Sequence, residues 1–142
     1  MIAPLEKRFL DARRVGHLAT ANAKGVPHVV PVCYAVTDNA VYITIDEKPK
    51  QGDVSRMKRV RNIIENPAVA LMVDRYNEDW SRLGWVMLRG VAEILLDGTE
   101  HALAQGLLRE RYPQYRVMRL EKLPVIVIRV TRATSWGVLD EA

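Results

Sequence analysis

The stretch TIDEKPKQGDVSRMKRVRNIIENP, residues 44–67, organises the rest of this chain. It starts at the end of a predicted strand, crosses a polar loop and continues as a basic helix, which Asn66-Pro67 ends because the residue before proline disfavours helical backbone. Between Lys48 and Arg61 it carries six cations and one acid, whereas the whole chain has a net charge of only +4. This local charge suits one bound anion, such as a cofactor phosphate. A solvated helix face beside a basic loop is the alternative.

The overall composition is that of a globular domain with a hydrophobic core. The chain has 142 residues, 49% hydrophobic and 27% charged, and is expected to form a single domain over residues 1–142. Its one cysteine, Cys33, can form no intrachain disulfide, which favours a reducing, cytoplasmic location. We expect no signal peptide and no membrane partner, because no apolar run reaches the roughly 20 residues that a membrane helix needs.

Six strands and three helices are predicted from hydrophobic periodicity and turn residues. The predicted strands are Val15–Thr20, Val26–Val36, Val41–Ile45, Ala68–Asp74, Trp85–Leu95 and Val125–Val130. The predicted helices are Pro4–Arg13, Val54–Glu65 and a segment from a capping box at Asp97–Glu100 to Tyr112-Pro113. Strands joined mostly by hairpins favour antiparallel pairing, and a small barrel closes such a sheet. The predicted fold class is therefore mainly β, a barrel with flanking helices.

Titratable side chains give no sign of a metal centre or of a catalytic pair. His17, His28 and His101 lie in different elements without metal-ligand spacing, so no metal site is predicted. Cys33 and His28 lie five positions apart on one predicted strand and so on opposite faces, which argues against a nucleophile with its base. No glycine-rich phosphate motif is present. We name no catalytic residue.

The tryptophan Trp80, within the polar loop segment Asp79–Arg82, exposes costly apolar area unless it packs on something. It is either a wall for a planar ring, with Arg82 nearby for an anionic group, or a lid over the chain's own core or a dimer contact. Trp136, which is predicted to lie just past the last strand, presents the same choice. In the second predicted helix, Val60 and Ile64 share a core-facing stripe that leaves Arg59 on a flank facing solvent.

Five segments carry a family likeness: His17–Thr20 (HLAT), Gly25–Val32 (GVPHVVPV), Asp46–Lys50 (DEKPK), Arg59–Asn62 (RVRN) and Asp79–Arg82 (DWSR). In this order they resemble the flavin-binding split-barrel superfamily of pyridoxamine 5′-phosphate oxidase-like proteins, and more narrowly its small bacterial F420-dependent branch. Each segment is weak alone, and together they are fairly specific. The resemblance implies a six-stranded antiparallel split barrel that forms a homodimer, with two equivalent cofactor sites in the groove between the chains.

The resemblance also implies roles for individual residues. The strand segment from Val30 to Cys33 would lie along an isoalloxazine-type ring, while Thr44, the basic loop and the helix would hold the phosphate. The predicted cofactor-binding residues are Val30, Pro31, Val32, Cys33, Thr44, Lys48, Pro49, Lys50, Lys58, Arg59, Trp80, Arg82 and Trp136. The chain departs from its relatives at its Lys-Pro-Lys and at Arg59, and it lacks the C-terminal substrate-phosphate segment. Oxidation of pyridoxamine phosphate is therefore not expected.

A flavin- or deazaflavin-dependent oxidoreductase is the function that the resemblance implies. The cofactor would carry hydride to or from an unknown small organic substrate, and the protein would bind, orient and shield it. F420 is favoured over FMN because its lactyl and glutamate tail adds carboxylates that the surplus cations could meet. A non-catalytic flavin- or haem-binding carrier is the alternative. A nucleic-acid binder is disfavoured because the tryptophans lie away from the basic stretch in sequence.

Overall fold

The structure, a computed structural model, describes residues 1–46 and 57–140. Lys48, Pro49 and Lys50, which are predicted to hold a phosphate, lie outside the described residues. The strands of the described part are β1 (Gly16–Ala21), β2 (Pro27–Val32), β3 (Ala35–Val36), β4 (Ala40–Thr44), β5 (Ala68–Arg75), β6 (Gly84–Leu95) and β7 (Val125–Gly137). Its α-helices are α1 (Pro4–Ala12), α2 (Lys58–Glu65) and α3 (Thr99–Arg111), and short 3₁₀ turns cover Trp80–Arg82, Pro113–Val117 and Leu120–Lys122. None of these helices is long and apolar enough to span a bilayer.

The seven strands form one curled antiparallel sheet in the order β2-β1-β5-β6-β7-β4-β3. This order places β2 at one edge and β3 at the other, although only Cys33 and Tyr34 separate the two strands along the chain. Three Cα–Cα steps span at most about 11 Å, so the two edges of the sheet lie close together and the sheet curls into a barrel. The predicted mainly β, antiparallel split-barrel fold is confirmed.

The number of strands differs from the predicted six because the second predicted strand, Val26–Val36, is divided at Tyr34. The backbone N–H of Tyr34 donates to the hydroxyl of Tyr112 at 3.0 Å, and its carbonyl accepts from Arg111 Nε at 2.8 Å. Both partners come from the end of α3 and the residue after it. The backbone of Tyr34 is therefore hydrogen-bonded by side chains instead of by a neighbouring strand, which ends one ladder and lets another begin.

The interior of the barrel is one apolar core. Alternate residues of each strand point inward, as in Leu18, Leu71 and Leu88, which are fully buried. Helix α1 adds Phe9 and Leu10 to this core. The strand β4 buries all five of its residues. Its inner face packs in the barrel core, and its outer face packs against α3. The side chains of β4 on the α3 side are thus held between two layers.

Three local predictions were wrong. Trp136 lies within β7 and pairs with Trp85 of β6, because the last strand continues to Gly137. Helix α3 begins after Gly98 with no side-chain cap, so the capping box at Asp97–Glu100 does not form. In α2 the helix turns Val60 and Ile63 inward and leaves Ile64 exposed, and this rotation also buries Arg59.

Candidate functional site

A cavity of about 180 Å³ lies where the barrel is open. In the β3–β4 ladder Ala35 pairs with Tyr42, and the same register continued backward would place Cys33 opposite Thr44. The chain bends at Tyr34, however, and among the described residues β2 pairs only with β1. The ends of β2 and β4 are thus separated, and the cavity lies between them. Its lining residues are Val15, Pro31, Val32, Cys33, Ile43, Thr44, Asp46, Arg59 and Tyr115.

Five of the predicted cofactor-binding residues come together in this cavity wall: Pro31, Val32, Cys33, Thr44 and Arg59. The first three form the end of β2 and the bend after it. An edge strand presents backbone donors and acceptors that no neighbouring strand uses. This side of the cavity can therefore form hydrogen bonds with the rim of a planar heterocycle.

Arg59 supplies a cation on the helical side of the cavity. Its side chain belongs to the first turn of α2 and the residue is only 7% exposed, so the solvent-facing position predicted for it was wrong. The helix is held against β1 by Asn62, whose Nδ2 donates to Thr20 Oγ1 at 2.9 Å. A guanidinium held in a wall with little water interacts strongly with an anion, because solvent screens the charges less. Lys58, its neighbour, is exposed and lies outside the lining.

Tyr115 and Asp46 form a pair that sequence reasoning missed as site residues. The hydroxyl of Tyr115 donates to the Asp46 carboxylate at 2.7 Å, and both residues line the cavity. Burial raises the pKa of Tyr115, and the hydrogen bond to Asp46 raises it further, so Tyr115 stays a protonated donor. Asp46 carried a signal as the first residue of DEKPK. Tyr115 carried none, because it lies in a short irregular segment without hydrophobic periodicity.

Thr44 lies at the end of β4 on the side that faces α3. It is buried, and its Oγ1 accepts a 2.9 Å hydrogen bond from Gln105 Nε2. Gln105 is itself buried in the middle of α3 and was not predicted as a site residue. The amide–hydroxyl contact links α3 to the cavity wall. No local pattern reveals it, because the two residues lie 61 positions apart.

The other predicted residues that the structure describes lie outside the lining, and their role in cofactor binding stays a prediction. Val30 pairs with Leu18 and packs against the barrel core. Trp80 and Trp136 are 70% and 54% exposed. Trp80 and Arg82 belong to the 3₁₀ turn that Asp79 caps, and hydrogen bonds from Ser81 lower the pKa of the Asp79 carboxyl. Trp80 Nε1 lies 3.4 Å from the Tyr76 hydroxyl and Trp136 pairs with Trp85, and the exposed area that both tryptophans keep is typical of a contact surface.

Comparison with known proteins identifies relatives over nearly the whole chain. The family described as pyridoxamine 5′-phosphate oxidase matches residues 3–137. The 5a,11a-dehydrotetracycline/5a,11a-dehydrooxytetracycline reductase of Streptomyces rimosus is 31% identical over 136 residues, which cover 94% of this chain and 81% of the reductase. That level of identity over that length indicates common descent and a shared fold.

Solved structures support the same fold. An FAD-binding protein of Mesorhizobium loti is 27% identical with a TM-score of 0.68, covering 94% of this chain and 93% of that one. A protein described as an F420 reductase is 25% identical with a TM-score of 0.65, covering 90% and 94%. A haem-binding protein of Mycobacterium smegmatis is 22% identical with a TM-score of 0.76, covering 96% and 54%, which shows the fold alone.

Proposed function

Because this chain belongs to the pyridoxamine 5′-phosphate oxidase family, we propose that it is a flavin- or deazaflavin-dependent oxidoreductase, with F420 favoured over FMN. The observation that carries the proposal is the cavity at the open side of the barrel, where buried Arg59 and Thr44 lie across from the free edge of β2. The cofactor would supply the hydride chemistry, and the chain would bind and orient it. The reductase from Streptomyces rimosus and the F420 reductase are relatives that support this class.

The phosphate is assigned to the Arg59 side of the cavity. A guanidinium and a hydroxyl both donate hydrogen bonds, and donors to a phosphate form the strong, charge-assisted kind. Lys48 and Lys50 adjoin this wall in sequence, because Asp46 lines the cavity and the loop follows directly. The Asp46 carboxylate would repel an anion, and its hydrogen bond from Tyr115 reduces that repulsion. The ring is assigned to the Pro31–Cys33 side.

We further propose that the complete site needs a second copy of the chain. A cavity of about 180 Å³ is smaller than the roughly 300–1,000 Å³ of ordinary small-molecule sites. The outer face of the sheet beside it carries exposed apolar side chains among polar ones: Val29 is 60% exposed and Met72 39%, with Ala19 and the exposed His17 on the strand between them. Pro31 lies on this face too, through its pairing with His17, and lines the cavity. A partner that covers this face would thus border the cofactor site.

Titration of the purified protein with FMN and with F420, followed by absorbance and fluorescence, tests the proposal. We expect saturable binding of at least one cofactor at micromolar concentration and hydride transfer between the bound cofactor and a small organic acceptor. Binding of a flavin or of haem without turnover, with every acceptor tried, would support the carrier alternative instead. Failure of both cofactors to bind would contradict the proposed function.

A further inference from the structure

We propose that Gln105 is a positioning residue that holds the Thr44 hydroxyl as a hydrogen-bond donor toward the anion in the cavity, a role that presupposes the cofactor site proposed above. Gln105 lies in the middle of α3 and does not line the cavity. It acts through Thr44, which does. Its importance follows from the direction of the hydrogen bond between the two side chains.

The orientation of the Gln105 amide is set by two backbone carbonyls. Its nitrogen lies 2.8 Å from the carbonyl oxygen of Leu120 and 3.2 Å from that of Leu123. Carbonyl oxygens only accept, so the amide group facing them has to be the NH₂ and not the oxygen. The same nitrogen lies 2.9 Å from Thr44 Oγ1. The NH₂ group has two hydrogens, and we assign them to its two shorter contacts, with the Leu120 carbonyl and with Thr44 Oγ1, so Gln105 donates to Thr44.

The direction of this bond decides what the Thr44 hydroxyl can do. A threonine hydroxyl has one hydrogen to give, and the contact with Gln105 occupies an acceptor position and leaves that hydrogen available for a bond to another acceptor. Within the described residues its acceptor is the Pro124 carbonyl at 3.5 Å, the limit for a hydrogen bond. That carbonyl already accepts from the backbone N–H of Ile45 at 2.9 Å. An anionic oxygen in the cavity is the better acceptor, since hydrogen bonds to charged acceptors are stronger.

Anchoring the turn after α3 does not by itself explain a glutamine at this position. His101, one helical turn earlier, already binds the Leu123 carbonyl through Nε2 at 2.7 Å. The Oε1 atom of Gln105 is buried and has no hydrogen-bond partner among the described residues, which destabilises the fold. Gln105 provides two contacts that His101 does not, one to the Leu120 carbonyl and one to Thr44 Oγ1. His101 is therefore a control for anchoring at Leu123, and Thr44→Val separates the Thr44 contact from the anchoring at Leu120.

The test compares each cofactor with its phosphate-free counterpart. The affinities of FMN and riboflavin, and those of F420 and its ribityl deazaflavin without the phosphate and tail, are measured by fluorescence titration. The ratio for FMN and riboflavin isolates the contribution of the phosphate, and the ratio for the F420 pair gives the contribution of the phosphate together with the tail. We measure it for the wild type, Gln105→Met, Thr44→Val, Thr44→Ser and His101→Leu, each with its melting temperature. Thr44→Val keeps the shape of the side chain and leaves both carbonyl contacts of Gln105, so it tests the same step if Gln105→Met does not fold.

We expect Gln105→Met and Thr44→Val each to lower the preference for the phosphorylated compound about 10-fold or more, the effect of one charge-assisted hydrogen bond. Affinity for the phosphate-free compounds should barely change, Thr44→Ser should restore the preference, and His101→Leu should lower only the melting temperature. A wild-type preference in Thr44→Val, or in folded Gln105→Met, would overturn the role of Gln105 and leave the cofactor site intact. Absence of any phosphate preference in the wild type would overturn the proposed site and this role with it.

Discussion

The hydroxyl of Tyr115 donates a 2.7 Å hydrogen bond to the carboxylate of Asp46, across 69 positions of the chain. Asp46 is the last described residue before the loop that carries Lys48 and Lys50. The bond therefore ties the segment after α3 to the residue that follows the end of β4 by two positions. Both residues line the cavity, so this contact fixes the Asp46 side chain in the cavity wall.

Replacement of Tyr115 by phenylalanine is expected to lower the stability by about 1 kcal/mol, below the usual value for a bond to a charged group because Asp46 is exposed. Cofactor affinity should fall as well, because the Asp46 carboxylate in the cavity wall loses its hydrogen bond and repels an anion more strongly. Denaturant unfolding and cofactor titration measure the two effects. Thr99→Ala, which removes an exposed hydroxyl outside the lining, is the control. Equal stability and affinity for Tyr115→Phe and the wild type would refute this role.

The carboxylate of Glu100 makes the stability dependent on pH. It accepts hydrogen bonds from Arg129 Nη2 at 2.7 Å and from the Tyr42 hydroxyl at 2.8 Å. These bonds lower the pKa of Glu100 from 4.5 to about 2, and the bond from Arg129 has the larger effect. Since the folded state has the lower pKa, the stabilisation is present above about pH 4.5 and is lost as the pH falls toward 2.

Glu100→Gln should therefore be less stable than the wild type at neutral pH, by about 1–2 kcal/mol after allowance for solvent screening. The difference should shrink between pH 4.5 and 2. Unfolding free energies measured across this range check the prediction. Glu110→Gln, at an exposed carboxylate near the end of the same helix, serves as the control. A constant difference between Glu100→Gln and the wild type across this range would rule out the proposed linkage.

Replacement of Trp80 by alanine is expected to weaken cofactor binding while the fold survives. Its indole ring is 70% exposed in the isolated chain, so its removal costs little core packing. The variant's affinity for FMN and F420 is compared with that of Leu96→Ala, which removes an exposed apolar side chain elsewhere. Unchanged affinity together with a lower melting temperature would instead make Trp80 a structural residue.

Dimer formation should depend on the outer face of the sheet. Sedimentation at micromolar concentration is expected to show a two-chain species for the wild type. Met72→Asp places a charge on the proposed contact face and should shift the protein toward a single chain, because burying an unpaired carboxylate is costly. Val117→Asp, at an exposed position in the segment after α3, should leave the dimer unchanged. Sedimentation of the wild type as a single chain would contradict the proposal that two chains share the cofactor site.

The sequence predicts the barrel well, because strand periodicity and turn residues are local signals. It does not predict the bend at Tyr34, because the side chain that holds this backbone is Tyr112, 78 positions away. The burial of Arg59 depends on the rotation of α2 against β1. The hydrogen bond between Asn62 and Thr20, which lie 42 positions apart in sequence, establishes that rotation.

Some residues of the candidate site could likewise be predicted from the sequence, and others could not. Pro31, Val32 and Arg59 are recovered because they belong to segments with a family likeness, and Cys33 and Thr44 because the resemblance assigns roles to the strand ends beside those segments. Gln105 and Tyr115 enter through long-range contacts alone.

The double variant Lys50→Ala with Arg59→Ala measures whether this cavity holds the phosphate of the cofactor. If the two cations act independently, their loss should weaken cofactor binding by about 3–6 kcal/mol, since each charged hydrogen bond contributes about 1.5–3 kcal/mol. Arg59 is buried, so the variant will also be less stable, and binding is measured where circular dichroism shows both proteins to be folded. Lys24→Ala with Lys122→Ala removes the same charge at two exposed positions.

Titration of FMN and F420 into the wild type and both double variants, beside DNA binding at two salt concentrations, gives the decisive comparison. We expect cofactor affinity to fall by more than about 100-fold for Lys50→Ala with Arg59→Ala and to stay unchanged for the control pair. Wild-type cofactor affinity in the first variant, with lost DNA retention and a weaker salt dependence, would contradict the phosphate site and favour a nucleic-acid binder.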